Sequence, residues 1–140
     1  MDNIEEAKEN EEMGETRYSR GHQWVERRPD GSLRVGITPD GLGRVGDLVF
    51  VDLLDSGETL AAGEAYGELE SVRTVWDVYS PVSGRVKRVN LPLLRHPEEI
   101  KAAPYKAWLL ELEAADAEEF SRELMDRDAY ESFIRENKPE

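Results

Sequence analysis

The feature that most constrains the fold is a succession of short, strand-like segments separated by turn residues. Between residues 23 and 113, short runs rich in β-branched and aromatic residues alternate with clusters of Gly, Pro, Asp and Ser. Such runs are typical of β-strands bounded by turns. The candidate strands are residues 23–26, 33–38, 47–53, 66–72, 75–79, 85–90 and 108–113. Because short strands bury their apolar faces mainly against one another, the sequence predicts a mostly-β domain.

The end of the chain has a different pattern. Residues 116–135 place Phe120, Leu124, Tyr130 and Ile134 among polar residues, which indicates an amphipathic helix that covers the sheets. The helix is either continuous or broken near residues 126–128. If its apolar face is not fully buried, that face could pair with a second copy of the chain.

Asp116 is a candidate N-cap for this helix. Glu119 follows three residues later and would complete a capping box, in which each side chain binds the other residue's backbone N–H.

The beginning of the chain is acidic. Residues 1–16 contain six glutamates and almost no apolar side chains, so they cannot bury enough surface to offset the entropy of ordering. We therefore expect an acidic disordered tail over residues 1–16 and one folded domain over residues 17–136. An acidic N-terminus resembles neither a secretory signal nor a transit peptide, so we expect a cytoplasmic protein.

Composition excludes several classes of chemistry. The chain has no cysteine, which rules out disulfides, thiolate nucleophiles and cysteine-ligated metal. His22 and His96 lie too far apart to form a local zinc motif, and His22 is expected to hold the first turn. No nucleophile–base pair or phosphate-binding loop is recognisable, so we do not expect an enzyme.

Charge and hydropathy limit the possible partners. A net charge of −13 makes nucleic acid an unsuitable ligand, because phosphate attracts clustered Lys and Arg. No apolar run approaches the roughly 18 residues that span a bilayer, so no membrane segment is expected. The charge either serves docking on basic surfaces of larger proteins or only gives solubility.

Seven segments, in order and at nearly matching spacing, resemble the glycine-cleavage H-protein family. They are residues 18–25 (YSRGHQWV), 35–38 (VGIT), 46–53 (GDLVFVDL), 70–74 (ESVRT), 77–84 (DVYSPVSG), 104–109 (PYKAWL) and the helical region 116–134. The resemblance implies a lipoyl-type barrel-sandwich hybrid of β-sheets with helices packed outside. It also implies a monomeric lipoate carrier that other enzymes use as a substrate. By resemblance, its partners are glycine decarboxylase, aminomethyltransferase, lipoamide dehydrogenase and lipoate ligase.

The chain departs from this family at the residue that should carry the cofactor. Segment 70–74 resembles the lipoylation motif Glu-Ser-Val-Lys-Ala, but Arg73 stands at the position of the lipoyl-lysine. A guanidinium stays protonated, with a pKa above about 12, and is not an acyl acceptor. We therefore predict no lipoate on this chain. Glu70, Ser71 and Val72 remain the candidate cofactor-binding positions by resemblance, with Glu70 contributing to recognition by the lipoylating enzyme.

Further departures accompany Arg73. Thr74 replaces the usual alanine, and Trp76 stands where a small polar residue is common. Residues 39–45, which are helical in the family, contain one proline and two glycines and are predicted here to form a loop. Residues 73–74 are predicted to form a two-residue connection between strands.

These departures leave two origins for Arg73 open. They favour natural loss of the cofactor over an engineered Lys→Arg change, and they also fit a point mutant of a divergent paralogue, such as the lipoate-binding proteins linked to sulfur oxidation. Two functions therefore follow. The chain is an H-like carrier protein in its unlipoylated form, or a natural paralogue that acts as a protein-interaction or regulatory module.

Trp76 also has two interpretations. If Arg73 and Trp76 both lie near the hairpin tip, the guanidinium could stack on the indole ring, and Trp76 and Thr74 could form an interaction surface. In the other interpretation Trp76 points into the β core and Arg73 is solvated.

Overall fold

The computed structural model describes residues 14–137. The strands within that range are β1 (Glu15–Tyr18), β2 (Gln23–Arg27), β3 (Leu33–Ile37), β4 (Leu48–Leu53), β5 (Thr59–Leu60), β6 (Ala65–Ser71), β7 (Val75–Tyr79), β8 (Gly84–Val89) and β9 (Leu110–Ala114). The helices are α1 (Pro39–Val45), α2 (Pro92–Arg95), α3 (Glu98–Ala102), α4 (Glu119–Glu123) and α5 (Arg127–Glu136).

The strands form two antiparallel sheets. The larger has the order β1-β2-β3-β9-β8-β5, and the smaller has the order β4-β6-β7. One apolar core joins them, with fully buried side chains from the larger sheet (Val35 and Leu112) and from the smaller sheet (Leu69 and Val78). Along β3 and β9, alternate residues supply this core because successive side chains point to opposite faces. The predicted mostly-β class is confirmed.

The folded domain begins earlier than predicted. Strand β1 includes Glu15 and Thr16, which pair with Arg27 and Glu26 of β2. The Glu15 carboxylate accepts hydrogen bonds from Arg17 at 3.0 Å and from Arg27 at 2.8 Å, so this acidic residue is ordered by two neighbouring cations. Residues 1–13, where most of the predicted tail falls, lie outside the described residues.

Helix α1 occupies the segment that was predicted to be a loop. The Thr38 side chain caps it by accepting the Gly41 backbone N–H at 3.1 Å. Pro39 stands at the start of the helix, where a missing N–H costs nothing because no intrahelical acceptor exists there. Leu42 and Val45 are 2% exposed, so burial stabilises a helix that propensity alone disfavours.

The C-terminal region forms two helices, and they cover the larger sheet. Helix α5 packs on β1, where the rings of Tyr18 and Tyr130 stack at 4.8 Å. Asp126 caps α5 by accepting the Ala129 N–H at 2.8 Å. Phe120 is 1% and Leu124 6% exposed, so most of the predicted apolar face is buried within the chain.

The predicted capping box is wrong. The Glu119 carboxylate accepts hydrogen bonds from the backbone N–H of Ser83 at 2.6 Å and from its hydroxyl at 3.3 Å. Asp116 accepts the N–H of Glu118 at 2.9 Å instead. Glu119 therefore fastens α4 to the turn before β8, a tertiary contact that the local pattern does not reveal.

Strand β9 carries a buried carboxylate with several cationic partners. Glu111 is 2% exposed and accepts hydrogen bonds from Arg34 at 3.0 Å and Arg88 at 2.7 Å, with Lys87 at 3.7 Å. Burial acts to raise the pKa of Glu111, but the hydrogen bonds from Arg88 and Arg34 outweigh it and lower the pKa. The ionised carboxylate therefore joins β3, β8 and β9.

This arrangement predicts an acid-sensitive contribution to stability. Because the pKa is lower in the folded chain than in the unfolded chain, the contribution is present above the unfolded pKa and is lost as pH falls through the folded pKa. Glu111→Gln should lower the free energy of unfolding by about 1–3 kcal/mol at pH 7. The difference from the unmodified protein should shrink below about pH 4, measured by urea unfolding across pH. A difference that stays constant with pH would contradict this assignment.

Candidate functional site

The predicted cofactor position lies at the end of the β6–β7 hairpin. Glu70 pairs with Val75, and the Ser71 N–H donates to the Thr74 carbonyl at 2.8 Å. Three residues separate the two strands, so the predicted two-residue connection is wrong. The reason is the Ser71 hydroxyl, which accepts the backbone N–H of Arg73 at 3.3 Å and of Thr74 at 3.2 Å and closes a wider turn.

Arg73 bonds to the C-terminal end of helix α1. Its Nε donates to the Val45 carbonyl at 3.2 Å, and its Nη2 donates to the carbonyls of Gly43 at 3.2 Å and Arg44 at 3.0 Å. The last carbonyls of a helix have no intrahelical partner and carry partial negative charge, so a guanidinium is a suitable donor. We call this set of contacts the Arg73–α1 bridge.

Gly46 makes room for the Arg73–α1 bridge. It follows the helix with φ of 96°, a left-handed conformation that favours glycine. A Cβ at this position would come within 3.1 Å of the Arg73 Nε. A side chain at position 46 would therefore both strain the backbone and press on the guanidinium.

Asp47, the next residue, contributes to the charge around the bridge. Its carboxylate accepts a hydrogen bond from Lys101 at 2.6 Å. The pKa of Asp47 is lowered, mainly by Lys101, and the charge of Arg73 makes a smaller contribution in the same direction.

Trp76 does not join Arg73. The indole is half-buried and packs against the main core, on the same side of β7 as the buried Val78. It also lines a groove of about 180 Å³ together with Gln23 and Tyr79. Among residues 14–137, the arginine–aromatic contacts involve other arginines. The stacking interpretation is therefore wrong. Arg73 is exposed, as the other interpretation expects, but its guanidinium also donates hydrogen bonds to the end of α1.

The remaining predicted site residues differ in exposure. Glu70 and Thr74 are exposed, Val72 is 82% exposed, and Ser71 is buried within the turn. Within the motif, residues 70–74, the structure thus leaves every residue except Ser71 accessible. The carbonyls of the α1 C-terminus were not identified from the sequence, because the segment was predicted to be a loop.

His22 connects α1 to α5 rather than forming a catalytic group. Its Nδ1 lies 2.9 Å from the Tyr130 hydroxyl and 3.2 Å from an Asp40 carboxylate oxygen. The Tyr130 hydroxyl lies 2.7 Å from the Thr38 hydroxyl that caps α1. Burial lowers the pKa of His22, the charge of Arg44 adds to this effect, and Asp40 opposes it. Burial also raises the pKa of Tyr130 to about 12.

The described part of the chain contains neither a metal-binding cluster nor a membrane-spanning helix. No group of three or more His, Asp or Glu side chains in residues 14–137 is arranged to hold a metal ion. Helices long and apolar enough to cross a membrane are absent from the same range.

Two facing β-sheets with helices outside, and a motif-bearing hairpin in the smaller sheet, define a barrel-sandwich domain of the lipoyl-carrier class. The family model described as "Glycine cleavage H-protein" matches residues 16–137. The chain therefore belongs to the glycine cleavage H-protein family. The family is one of lipoyl carriers rather than catalysts, so the prediction that the chain is not an enzyme is confirmed.

Individual relatives agree with this assignment. The glycine cleavage system H protein of Oceanobacillus iheyensis is 42% identical over 120 residues, which cover 85% of this chain and 94% of the relative. A probable glycine cleavage system H protein of Pyrococcus furiosus is 40% identical over 118 residues, covering 84% and 88%. The crystal structure of a glycine cleavage system H protein from Mycobacterium marinum matches with a TM-score of 0.76 and 36% identity, covering 90% of this chain and 98% of that one.

The Arg73–α1 bridge predicts a measurable effect of removing the guanidinium. Arg73→Ala should lower the free energy of unfolding by about 1 kcal/mol, because three helix-terminal carbonyls lose a charged donor that is itself exposed. Amide hydrogen exchange should become faster at residues 43–46 and 72–74.

Arg85→Ala is the matched control, since Arg85 lies 3.8 Å from Glu113 and both side chains are more than half exposed. Its effect on urea unfolding should be close to zero. Equal effects of the two substitutions would show that the bridge contributes nothing.

Proposed function

We propose that this chain is a glycine cleavage H-like protein that carries no lipoyl group on its β6–β7 hairpin and acts through protein contacts. The observation that supports this proposal is the Arg73–α1 bridge. The residue at the acceptor position is engaged with three backbone carbonyls at 3.0–3.2 Å.

The chemistry of acyl transfer supports the same conclusion. Lipoylation forms an amide when a neutral primary amine attacks an activated acyl group. An arginine side chain keeps its proton at any physiological pH and delocalises its nitrogen lone pairs, so it does not act as this nucleophile. Lipoate, the cofactor of the family, is accordingly not assigned to Arg73.

Two lysines among residues 14–137 are poor substitutes for the missing acceptor. Lys101 lies on α3 and pairs with Asp47 at 2.6 Å. Lys87 lies on β8 and has Asp30 at 3.6 Å and Glu111 at 3.7 Å as partners. Neither is part of a hairpin connection between strands.

The family assignment indicates the partners. We expect contacts with proteins of lipoate-dependent systems, namely glycine decarboxylase, aminomethyltransferase, lipoamide dehydrogenase or lipoate ligase. We also expect a monomer that works in the cytoplasm. Burial of Phe120 and Leu124 inside the chain supports the monomer, because the predicted pairing face is largely covered.

A second candidate function is an H-like carrier that only Arg73 prevents from working. The exposure of Glu70 and Val72 favours it, because these motif residues remain accessible beside the turn. The two candidates agree that the unmodified chain is unlipoylated and differ in what a restored lysine would do.

Intact-mass measurement separates these functions. We would express the chain, Arg73→Lys and Arg85→Lys in a host with lipoate-attachment enzymes and measure the mass of each. The unmodified chain should gain nothing. For Arg73→Lys the proposed function predicts no gain, whereas the carrier candidate predicts one lipoyl group, because the hairpin keeps its turn and exposed motif residues. Arg85→Lys, which places the same new amine on β8, should gain nothing.

Three outcomes have definite meanings. Lipoylation of the unmodified chain would overturn the proposed function and direct attention to another lysine. An Arg73→Lys variant without lipoate would eliminate the carrier candidate and leave a protein-interaction module. Equal lipoylation of both lysine variants would mean that the ligase does not select the hairpin.

A further inference from the structure

The outer face of the larger sheet presents a layer of cations. Arg34, Lys87 and Arg88 meet there at Glu111, whose carboxylate is 2% exposed, whereas the side chains of Lys87 and Arg88 are 40% and 58% exposed. The negative charge of Glu111 therefore lies beneath the positive charges. Asp30, 3.6 Å from Lys87, is the other carboxylate near these three cations, so the surface keeps an excess of positive charge. We call Arg34, Lys87 and Arg88 the basic sheet face.

Trp108 restricts the two guanidinium groups of this face. The guanidinium carbon of Arg34 lies 4.8 Å from the centroid of the Trp108 ring, and that of Arg88 lies 5.9 Å from it. Such cation–π contacts hold the side chains without removing their charge. The basic sheet face is thus ordered in advance, and a surface that is already ordered loses less conformational entropy when an anionic group binds.

An apolar groove adjoins the basic sheet face at the edge of the same sheet. Strand β5 pairs only with Gly84 and Arg85 of β8, so none of the described strands covers residues 87–89 on that side. A groove of about 430 Å³ adjoins these residues, and four leucines line it: Leu53, Leu54, Leu91 and Leu94. An open strand edge beside apolar side chains is a place where an extended peptide can bind.

The chain contains a segment with the complementary chemistry, residues 1–13, which we call the N-terminal segment. It has six acidic side chains and one lysine, and its large apolar residues are Met1, Ile4 and Met13. Five of the acidic residues are glutamates that lie between residues 5 and 12, and Ile4 precedes them. A segment of this composition cannot build a core of its own, but a charged surface can bind it without one.

The register of the larger sheet places the attachment point of this segment in line with the basic sheet face. The row of paired residues that begins on β1 and ends on β8 is Glu15, Arg27, Leu33, Leu112 and Val86. Neighbouring strands lie about 4.8 Å apart, so this row spans about 19 Å. Lys87 and Arg88 follow Val86 directly, at the far end of the row.

The N-terminal segment is long enough to cross this distance. Ten residues along the chain lead from Gly14 to Ile4, and an extended chain advances about 3.3 Å per residue, which gives a reach of about 33 Å. The glutamates can therefore reach the basic sheet face while Ile4 reaches the groove beyond β8. Because the segment is tethered to β1, its effective concentration at the face is high.

We infer that the N-terminal segment folds back over the larger sheet, where its glutamates bind the basic sheet face and Ile4 occupies the groove. Charge complementarity selects this occupant. The contact covers the open edge of β8 and so protects it from pairing with a strand of another chain. The inference goes beyond the proposed function, because neither the segment nor the basic sheet face includes a residue of the β6–β7 hairpin.

A spin label on the N-terminal segment tests this inference in the full chain. The chain has no cysteine, so Asn3→Cys provides a single attachment point for a nitroxide. Amide signals of residues 53–56 and 87–89 should lose intensity relative to the same sample with the nitroxide reduced. The loss should diminish at about 1 M salt, where the Debye length falls to about 3 Å.

Charge variants of the labelled chain show which groups make the contact. Neutralising the segment should abolish most of the signal loss and cannot unfold the domain, because every change precedes β1. The changes are Glu5→Gln, Glu6→Gln, Glu9→Gln, Glu11→Gln and Glu12→Gln. Lys87→Gln should reduce the signal loss. Lys101→Gln is the matched control, since it removes the same charge from a lysine that pairs with Asp47, and it should leave the loss unchanged.

Three results would overturn the inference. The first is signal loss confined to β1 and β2, next to Gly14. The second is an equal effect of Lys87→Gln and Lys101→Gln. The third is signal loss of the same size when the nitroxide and the isotope label are on different chains in a mixed sample, which would assign the contact to a second copy. The lipoylation mass result is independent of all of these outcomes.

Discussion

The guanidinium of Arg73 and the C-terminal carbonyls of α1 form the contact on which the account of this protein depends. The helix has seven residues, too few to be stable alone, and it is held at both ends. Thr38 and Tyr130 fix its beginning, and Arg73 fixes its end. Because Arg73 belongs to the β6–β7 turn, this contact connects the smaller sheet to α1. Helix α1 is in turn connected to the C-terminal helix α5 by the contact between Thr38 and Tyr130.

The bridge also explains why an arginine at this position differs from a lysine in more than reactivity. A lysine ammonium is a point charge, whereas the planar guanidinium presents donors in a fixed fork. Here Nε and Nη2 use that fork to reach Gly43, Arg44 and Val45 together. A carrier arm needs a chain end that can travel between partners. In this chain the side chain at that position, Arg73, is bound to α1, whereas a carrier needs a mobile side chain there. This difference supports the proposed function.

The sequence was sufficient for seven of the nine described strands, all but β1 and β5, but not for the contacts between elements. Leu69 between Glu68 and Glu70 predicts one buried and one exposed sheet face, and the structure agrees, because strand periodicity is a local property. Helix α1 was missed because Thr38 capping and the burial of Leu42 outweigh the low helix propensity of proline and glycine. Because α1 was not predicted, its C-terminal carbonyls could not be predicted as the hydrogen-bond acceptors of Arg73.

The most direct test of this account is the mobility of the Arg73 side chain in solution. Nuclear magnetic resonance of the arginine Nε–H groups reports their order and their exchange with water. If the Arg73–α1 bridge forms, Arg73 Nε–H is about as ordered as the backbone and exchanges more slowly than that of Arg85, which is largely exposed. An Arg73 Nε–H as mobile and as rapidly exchanging as that of Arg85 would contradict the bridge.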